Sequence, residues 1–143
     1  MEEFKSMYSR LADFIIENLD FERISVILEA GCGSGQLTIP FVRKVNEIKE
    51  NFKVITFDIS SGPYEGDLDV LKERIEKEKL DKFVVTVKGD VRDMKAIEDE
   101  SIDLIISNEL FCDLDRKGLE SVLMEFYRIL KPNRQMAHGE LNP

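Results

Sequence analysis

A doubly wound α/β fold with a mainly parallel sheet of about five strands is predicted by three features of this 143-residue sequence. Helix-like and strand-like apolar patterns alternate along the chain, as parallel strands joined by right-handed helical crossovers require. A glycine-rich turn, Gly31-Cys32-Gly33-Ser34-Gly35, leads from the first strand pattern straight into a helix pattern. The next two strand patterns each end at a carboxylate, Asp58 and Asp90.

Each element has its own signal. Phe4, Met7, Tyr8, Leu11, Ile15 and Leu19 recur every three or four residues and predict an N-terminal amphipathic helix within residues 1–20, a candidate lid over a substrate. Val26-Ile27-Leu28 is a continuous apolar run, the pattern of a strand covered on both faces. Leu37, Phe41, Val45 and Ile48 mark a second helix, with Pro40 in its first turn. Residues 54–57 predict a second strand and residues 67–80 a charged helix with Leu68, Leu71, Ile75 and Leu80 on one face. Strands follow at 83–87 and 102–106. Leu119, Val122, Leu123, Phe126 and Leu130 line a last helix, with Asp115 as its N-cap and Lys131-Pro132-Asn133 as its stop. A fifth strand is expected within residues 135–141. The length fits a single domain spanning residues 1–143.

Composition narrows the function classes. With 43% hydrophobic residues the chain can bury a core, and two cysteines cannot build a disulfide scaffold. No apolar run approaches the ~20 residues of a membrane-spanning helix, and Met-Glu-Glu-Phe-Lys is not the start of a signal peptide. The expectation is a cytoplasmic protein with reduced thiols and no membrane partner. A net charge of −9 argues against a nucleic-acid partner, which calls for a basic surface. The abundance of Glu and Lys with no Trp matches the composition of proteins from hyperthermophiles, so a thermophilic source is expected.

In open α/β sheets ligands bind beyond the carboxyl ends of the strands. Glycines in the first turn let the backbone bend sharply and let a ligand reach main-chain atoms. Asp58 lies 23 residues after Gly35, about where an acidic side chain accepts from ribose hydroxyls, and Asp90 follows at the next strand end. Together they point to a nucleoside ligand. Dinucleotide-binding turns use G-x-G-x-x-G to hold a pyrophosphate. The spacing here is G-x-G-x-G, preceded by Glu29, which would repel a diphosphate and suits a ligand with an ammonium group. A nicotinamide-dependent oxidoreductase is thereby disfavoured.

Residues Ile27 to Gly35, Ile-Leu-Glu-Ala-Gly-Cys-Gly-Ser-Gly, resemble the first motif of the class I S-adenosylmethionine-dependent methyltransferases. Phe57-Asp58-Ile59-Ser60 resembles that family's ribose-binding strand end, and Gly89-Asp90-Val91 its adenine-contacting segment. Residues 98–108 resemble the approach to its fourth strand, and residues 126–133 the helix end before its fifth. The likeness covers roughly residues 20–140.

The resemblance implies a Rossmann-like fold, S-adenosyl-L-methionine as cofactor, and methyl transfer to a small molecule or protein side chain. It places the methionine portion at Glu29 and the backbone of Ala30, Gly31, Cys32, Gly33 and Gly35. The ribose falls to Asp58, and the adenine to Ile59, Gly89, Asp90 and Val91. Asn108 falls where the fourth strand opens toward the methyl group and substrate. In-line displacement from a sulfonium depends largely on positioning, so no signature catalytic side chain is required. Two candidates are nonetheless present. Glu109 could orient a cationic or hydroxylated substrate or cap the next helix. His138, which strand alternation puts on the same face as Glu140, is a general base if that face meets the cleft and an exposed terminal histidine otherwise. Cys112 precedes Asp113, whose charge raises a thiol pKa, and the two cysteines lack metal-ligand spacing. No metal is expected. Phe4, Tyr8, Phe111 and Leu114 would wall an apolar cleft or join the core.

The family fold has seven strands, the last two a hairpin beside the fifth, whereas this sequence ends at Asn142-Pro143. The expectation is a fifth strand left as an open edge, with three explanations: a fragment of a longer enzyme, a partner chain that completes the sheet, or a homodimer; a catalytically incomplete cofactor-binding module is the alternative reading. Arg134 stands where the family has Gly before that strand, and a left-handed backbone there would be strained.

Overall fold

The computed structural model describes residues 2–59 and 68–140. Five strands, β1 (Val26–Ala30), β2 (Lys53–Asp58), β3 (Val84–Lys88), β4 (Ile102–Asn108) and β5 (Leu130–Gly139), form one sheet. Their order is β3-β2-β1-β4-β5, and every neighbouring pair is parallel. The helices are α1 (Glu2–Glu17), α2 (Thr38–Ile48), α3 (Leu68–Lys77) and α4 (Arg116–Ile129). Among the described residues no helix is long and apolar enough to cross a membrane.

Strand alternation sends side chains to two cores. Ile27 of β1 with Leu104 and Ile106 of β4 pack against Ala12 and Ile15 of α1, Phe41, Val42 and Val45 of α2, and Leu71 and Ile75 of α3. Leu28, Ala30 and Ile105 face the other way, onto Val122, Phe126 and Ile129 of α4 and onto Val91, Met94 and Ile97. Both faces are thus covered, which is why β1 and β4 read as continuous apolar runs. The Phe4 side chain and residue 67 lie outside the described residues.

Two element ends differ from the sequence expectation by three residues or more. The third helix stops at Lys77 rather than near residue 80, because Lys79 adopts φ 59°. Leu80 N–H then donates to Ile75 O at 2.9 Å and Lys79 N–H to Glu76 O at 3.0 Å, the pair of bonds that closes a helix with a left-handed residue. The last strand begins directly after α4, at Leu130, and not at residue 135. Its pairing with β4 jumps from Ile102↔Leu130 to Leu104↔Gln135, so Pro132 and Asn133 sit in a bulge. The left-handed residue there is Asn133, φ 61°, not Arg134. Asn tolerates that conformation, and the strain expected at Arg134 does not arise. Arg134 Nε instead lies 3.5 Å from Asp103.

Asp103, 3% exposed, ties the amino ends of three strands together. Its carboxylate accepts from the N–H groups of Ser25 (3.0 Å) and Val26 (2.9 Å) and from Lys131 Nζ (3.0 Å). Burial alone would raise its pKa, but these donors outweigh burial and hold it below the usual aspartate value. Hydrogen bonds to a charged group contribute ~1.5–3 kcal/mol, so Asp103→Ala is expected to cost about 2–3 kcal/mol in urea unfolding at neutral pH. Because the folded pKa is depressed, that stabilisation is present above the unfolded aspartate value near about 4 and is lost as pH falls through the folded one. A variant within ~0.5 kcal/mol of the parent would show that Asp103 does not staple the strands.

Candidate functional site

The connection after β1 runs outward to β2 and that after β3 returns across to β4 on the other side of β1, so a crevice opens beyond the carboxyl ends of β1 and β4. A cavity of about 560 Å³ lies there, within the range of small-molecule sites. The turn after β1, the ends of β2 and β3, the segment after β4, and Tyr8 of α1 enclose it.

Between β1 and α2 the chain passes through Gly31, Gly33 and Gly35 at φ 72°, 56° and 96°. Gly31 N–H bonds Phe57 O of β2 at 2.8 Å, fixing the turn to the neighbouring strand. At Gly35 any side chain would be strained, and a Cβ would also lie 2.6 Å from Leu71 Cδ1. Gly31, Cys32, Gly33 and Ser34 line the cavity. Ala30 does not; it is fully buried against the α4 side. Gly35 packs behind the turn. Pro40, third residue of α2, falls in the first turn where its missing N–H is not needed.

Glu29 is the penultimate residue of β1 and points under the start of α2. It is 2% exposed, and its Oε1 accepts from Thr38 Oγ1 at 2.5 Å. Burial, reinforced by the Asp58 charge, pushes its pKa up to about 8 against the opposing effect of the Thr38 bond. Cys32, 4% exposed beside both carboxylates, has its thiol pushed up by burial and by their charges, so it stays protonated.

Asp58 ends β2 inside the cavity, and its Oδ2 accepts from Gly33 N–H at 2.7 Å. Ile59 stands beside it as an exposed apolar wall, with Gly89, Asp90 and buried Val91 opposite. The sequence reading missed a partner here. Both Asp90 oxygens accept from Arg92, at 2.7–3.0 Å, and this holds the Asp90 pKa down. Residues two apart after a strand form such a turn without leaving an apolar pattern, so periodicity could not find it.

Asn108 ends β4 and Glu109 follows it, and both line the far end of the cavity with Tyr8, Leu110, Asp113 and Leu114. Glu109 has φ 56°, and one carboxylate oxygen, Oε1, is buried with no hydrogen-bond partner. A single 3-10 turn over Phe111–Asp113 comes next, an element too short for periodicity to show. Phe111 does not wall the cavity. Its ring stacks on His138, centroids 3.7 Å apart. His138 is not an exposed terminal histidine: Nδ1 lies 2.5 Å from Ser107 Oγ and Nε2 2.8 Å from Glu140 Oε1, with the side chain 14% exposed. It is also absent from the cavity lining. Glu140 lies on its face, as alternation required, and also accepts from the N–H groups of Phe111 and Cys112. Asn142 lies outside the described residues. Cys112 is exposed; burial, Glu140 and Asp113 together raise its pKa. Among the described residues no His, Cys, Asp and Glu cluster could hold a metal.

A family model described as a methyltransferase domain matches residues 27–133. Over 130 residues the chain is 32% identical to the uncharacterized methyltransferase C25B8.09 of Schizosaccharomyces pombe, covering 90% of this chain and 43% of that protein. It is also 32% identical over 108 residues to the catalytic subunit TRM61 of a Candida albicans tRNA (adenine(58)-N(1))-methyltransferase, covering 76% of this chain and 29% of that one. A crystal structure of a proposed S-adenosyl-L-methionine-dependent methyltransferase from Methanococcus maripaludis superimposes with a TM-score of 0.79 at 25% identity, over 96% of this chain and 57% of that one. The chain spans less than half the length of the curated relatives it matches.

The Glu29 site makes a pH-dependent stability. Its folded pKa is raised, so the stability that it contributes is full below the ordinary value of 4.5 and is lost as pH rises through about 8. Glu29→Gln keeps an acceptor for Thr38 without the charge. Thermal unfolding is expected to show a flatter stability profile for it between about pH 5 and pH 9. Parallel profiles for the two proteins would show that Glu29 is not held neutral.

Proposed function

The chain belongs to the methyltransferase-domain family, and from that premise we propose that it binds S-adenosyl-L-methionine in the crevice beyond β1 and β4 and transfers its methyl group to a small molecule or protein side chain. The observation that carries this reading is one cavity lined by Glu29, the glycine turn, Asp58, Asp90 and Asn108, the residues that the sequence resemblance selects.

The donor set suits that ligand. Glu29 offers a buried carboxylate to an ammonium group, and a cation there would favour its ionised form. Asp58 is braced by Gly33 N–H, which orients it to accept from ribose hydroxyls. Ile59 and Val91 give apolar surface for a purine. Asp90 can accept an adenine amino group once Arg92 loosens, and an exposed ion pair of this kind is worth only ~0–1 kcal/mol. Bound there, the cofactor supplies an electrophilic methyl group whose departure leaves a neutral thioether. The work left to the protein is to hold a nucleophile in line near Asn108 and to keep water out, for which Tyr8, Leu110 and Leu114 supply the walls.

A cofactor-binding module completed by another chain is the second reading. The sheet's edge favours it: among the described residues β5 pairs on one side only, with β4.

Calorimetric titration with S-adenosylmethionine, S-adenosylhomocysteine and NADH tests the proposal. Micromolar binding of the first two without the third is expected. Asp58→Ala is expected to weaken binding about ten- to a hundred-fold, the worth of its charged hydrogen bonds. A folded sample that binds neither methyl-cofactor form, or an Asp58→Ala protein of unchanged affinity, would contradict it.

A further inference from the structure

The far end of the cavity carries a pattern that cofactor binding does not use. Glu109 holds a left-handed backbone, φ 56°, which a non-glycine residue adopts at a cost of ~1 kcal/mol or more. The surroundings over-determine it: Glu109 N–H donates to Gly139 O at 2.7 Å, and Glu109 O accepts from Cys112 Sγ at 3.2 Å. The segment beyond is clamped to β5 through Glu140, which takes the N–H groups of Phe111 (2.8 Å) and Cys112 (3.2 Å) while bonded to His138. Such a frame fixes where the Glu109 carboxylate sits.

That carboxylate has an acceptor to spare. Its Oε1 is buried without a donor, although the residue lines the cavity. A buried unsatisfied acceptor is costly, and a turn of the carboxyl toward the cavity would bring it to a donor carried by an occupant. Tyr8 shares this end; burial first, and the Glu109 charge second, raise its pKa, so its hydroxyl stays protonated. The charges here have one sign. Asp113 joins Glu109, and the cation among the described lining residues, Arg92, is committed to Asp90 at the other end. An anionic acceptor would meet repulsion there, while an ammonium or N–H group would find a carboxylate.

We propose that Glu109 and Tyr8 form the methyl-acceptor subsite and that it takes a compact amine, held through its N–H by the Glu109 carboxylate. The proposal rests on the methyltransferase reading and adds the acceptor's chemical class. Glu109 is then a substrate-binding residue, and Tyr8 an apolar wall with a hydroxyl that can accept from the same amine or donate to the carboxylate.

The test uses the full chain saturated with S-adenosylhomocysteine and titrated with benzylamine, benzyl alcohol and benzoate in turn. Benzylamine is expected to bind at least about tenfold more tightly than the alcohol or the acid. Glu109→Gln is expected to remove that preference while leaving S-adenosylhomocysteine affinity unchanged, and Tyr8→Phe to narrow it. Equal affinity for amine and alcohol, no binding of any probe, or a preference that survives Glu109→Gln would overturn the subsite. Failure of S-adenosylhomocysteine to bind the unaltered chain would instead overturn the methyltransferase reading and the subsite with it.

Discussion

The turn between β1 and α2 is the constraint on which the rest of the structure depends. Three successive positive-φ glycines let the chain leave the central strand and re-enter a helix within a few residues. Because β1 lies between β2 and β4, the turn sits at the point where the sheet winds outward both ways. Gly31 N–H is tied to β2 and Gly33 N–H to Asp58, so the turn's shape and the carboxylate's position are set by the same bonds. Move the turn and Asp58 loses its brace; remove Asp58 and the turn loses one of its acceptors.

Charge is distributed with equal economy. The protein is acidic overall, and its crevice gathers Glu29, Asp58, Asp90, Glu109 and Asp113. Holding so many carboxylates together is unfavourable unless each is neutralised, bonded or protonated. Glu29 is neutral in its burial, Asp58 takes a backbone N–H, and Asp90 takes Arg92. Glu109 is the member whose Oε1 is left over. The crevice is therefore poised for ligands that bring donors and positive charge, which is what a sulfonium cofactor with an ammonium group carries.

Much of this was legible in the sequence. The five strands and the α/β alternation follow from apolar runs that only a doubly covered sheet produces, and Asp115 caps α4 as its position required, accepting from Gly118 N–H at 2.7 Å. The clustering of Glu29, Asp58, Asp90 and Asn108 was also readable, since each stands at a strand's carboxyl end. What escaped depends on single dihedrals and on contacts between distant segments. The bulge at Asn133 moved the left-handed residue one place from Arg134, and nothing in the pattern distinguishes those two positions. His138 reads as terminal, but its register opposite Ser107 and the Phe111 ring enclose it. Arg92 folds back on Asp90 through a local turn that has no period to detect.

A crystal structure of the chain grown with S-adenosylhomocysteine tests the central claim most directly. The adenosine is expected between Asp58 and Asp90, with Arg92 displaced from Asp90, the amino acid portion against Glu29 and the glycine turn, and the sulfur facing Asn108. A ligand bound elsewhere, or the same crevice occupied with the adenosine and amino acid ends exchanged, would contradict it.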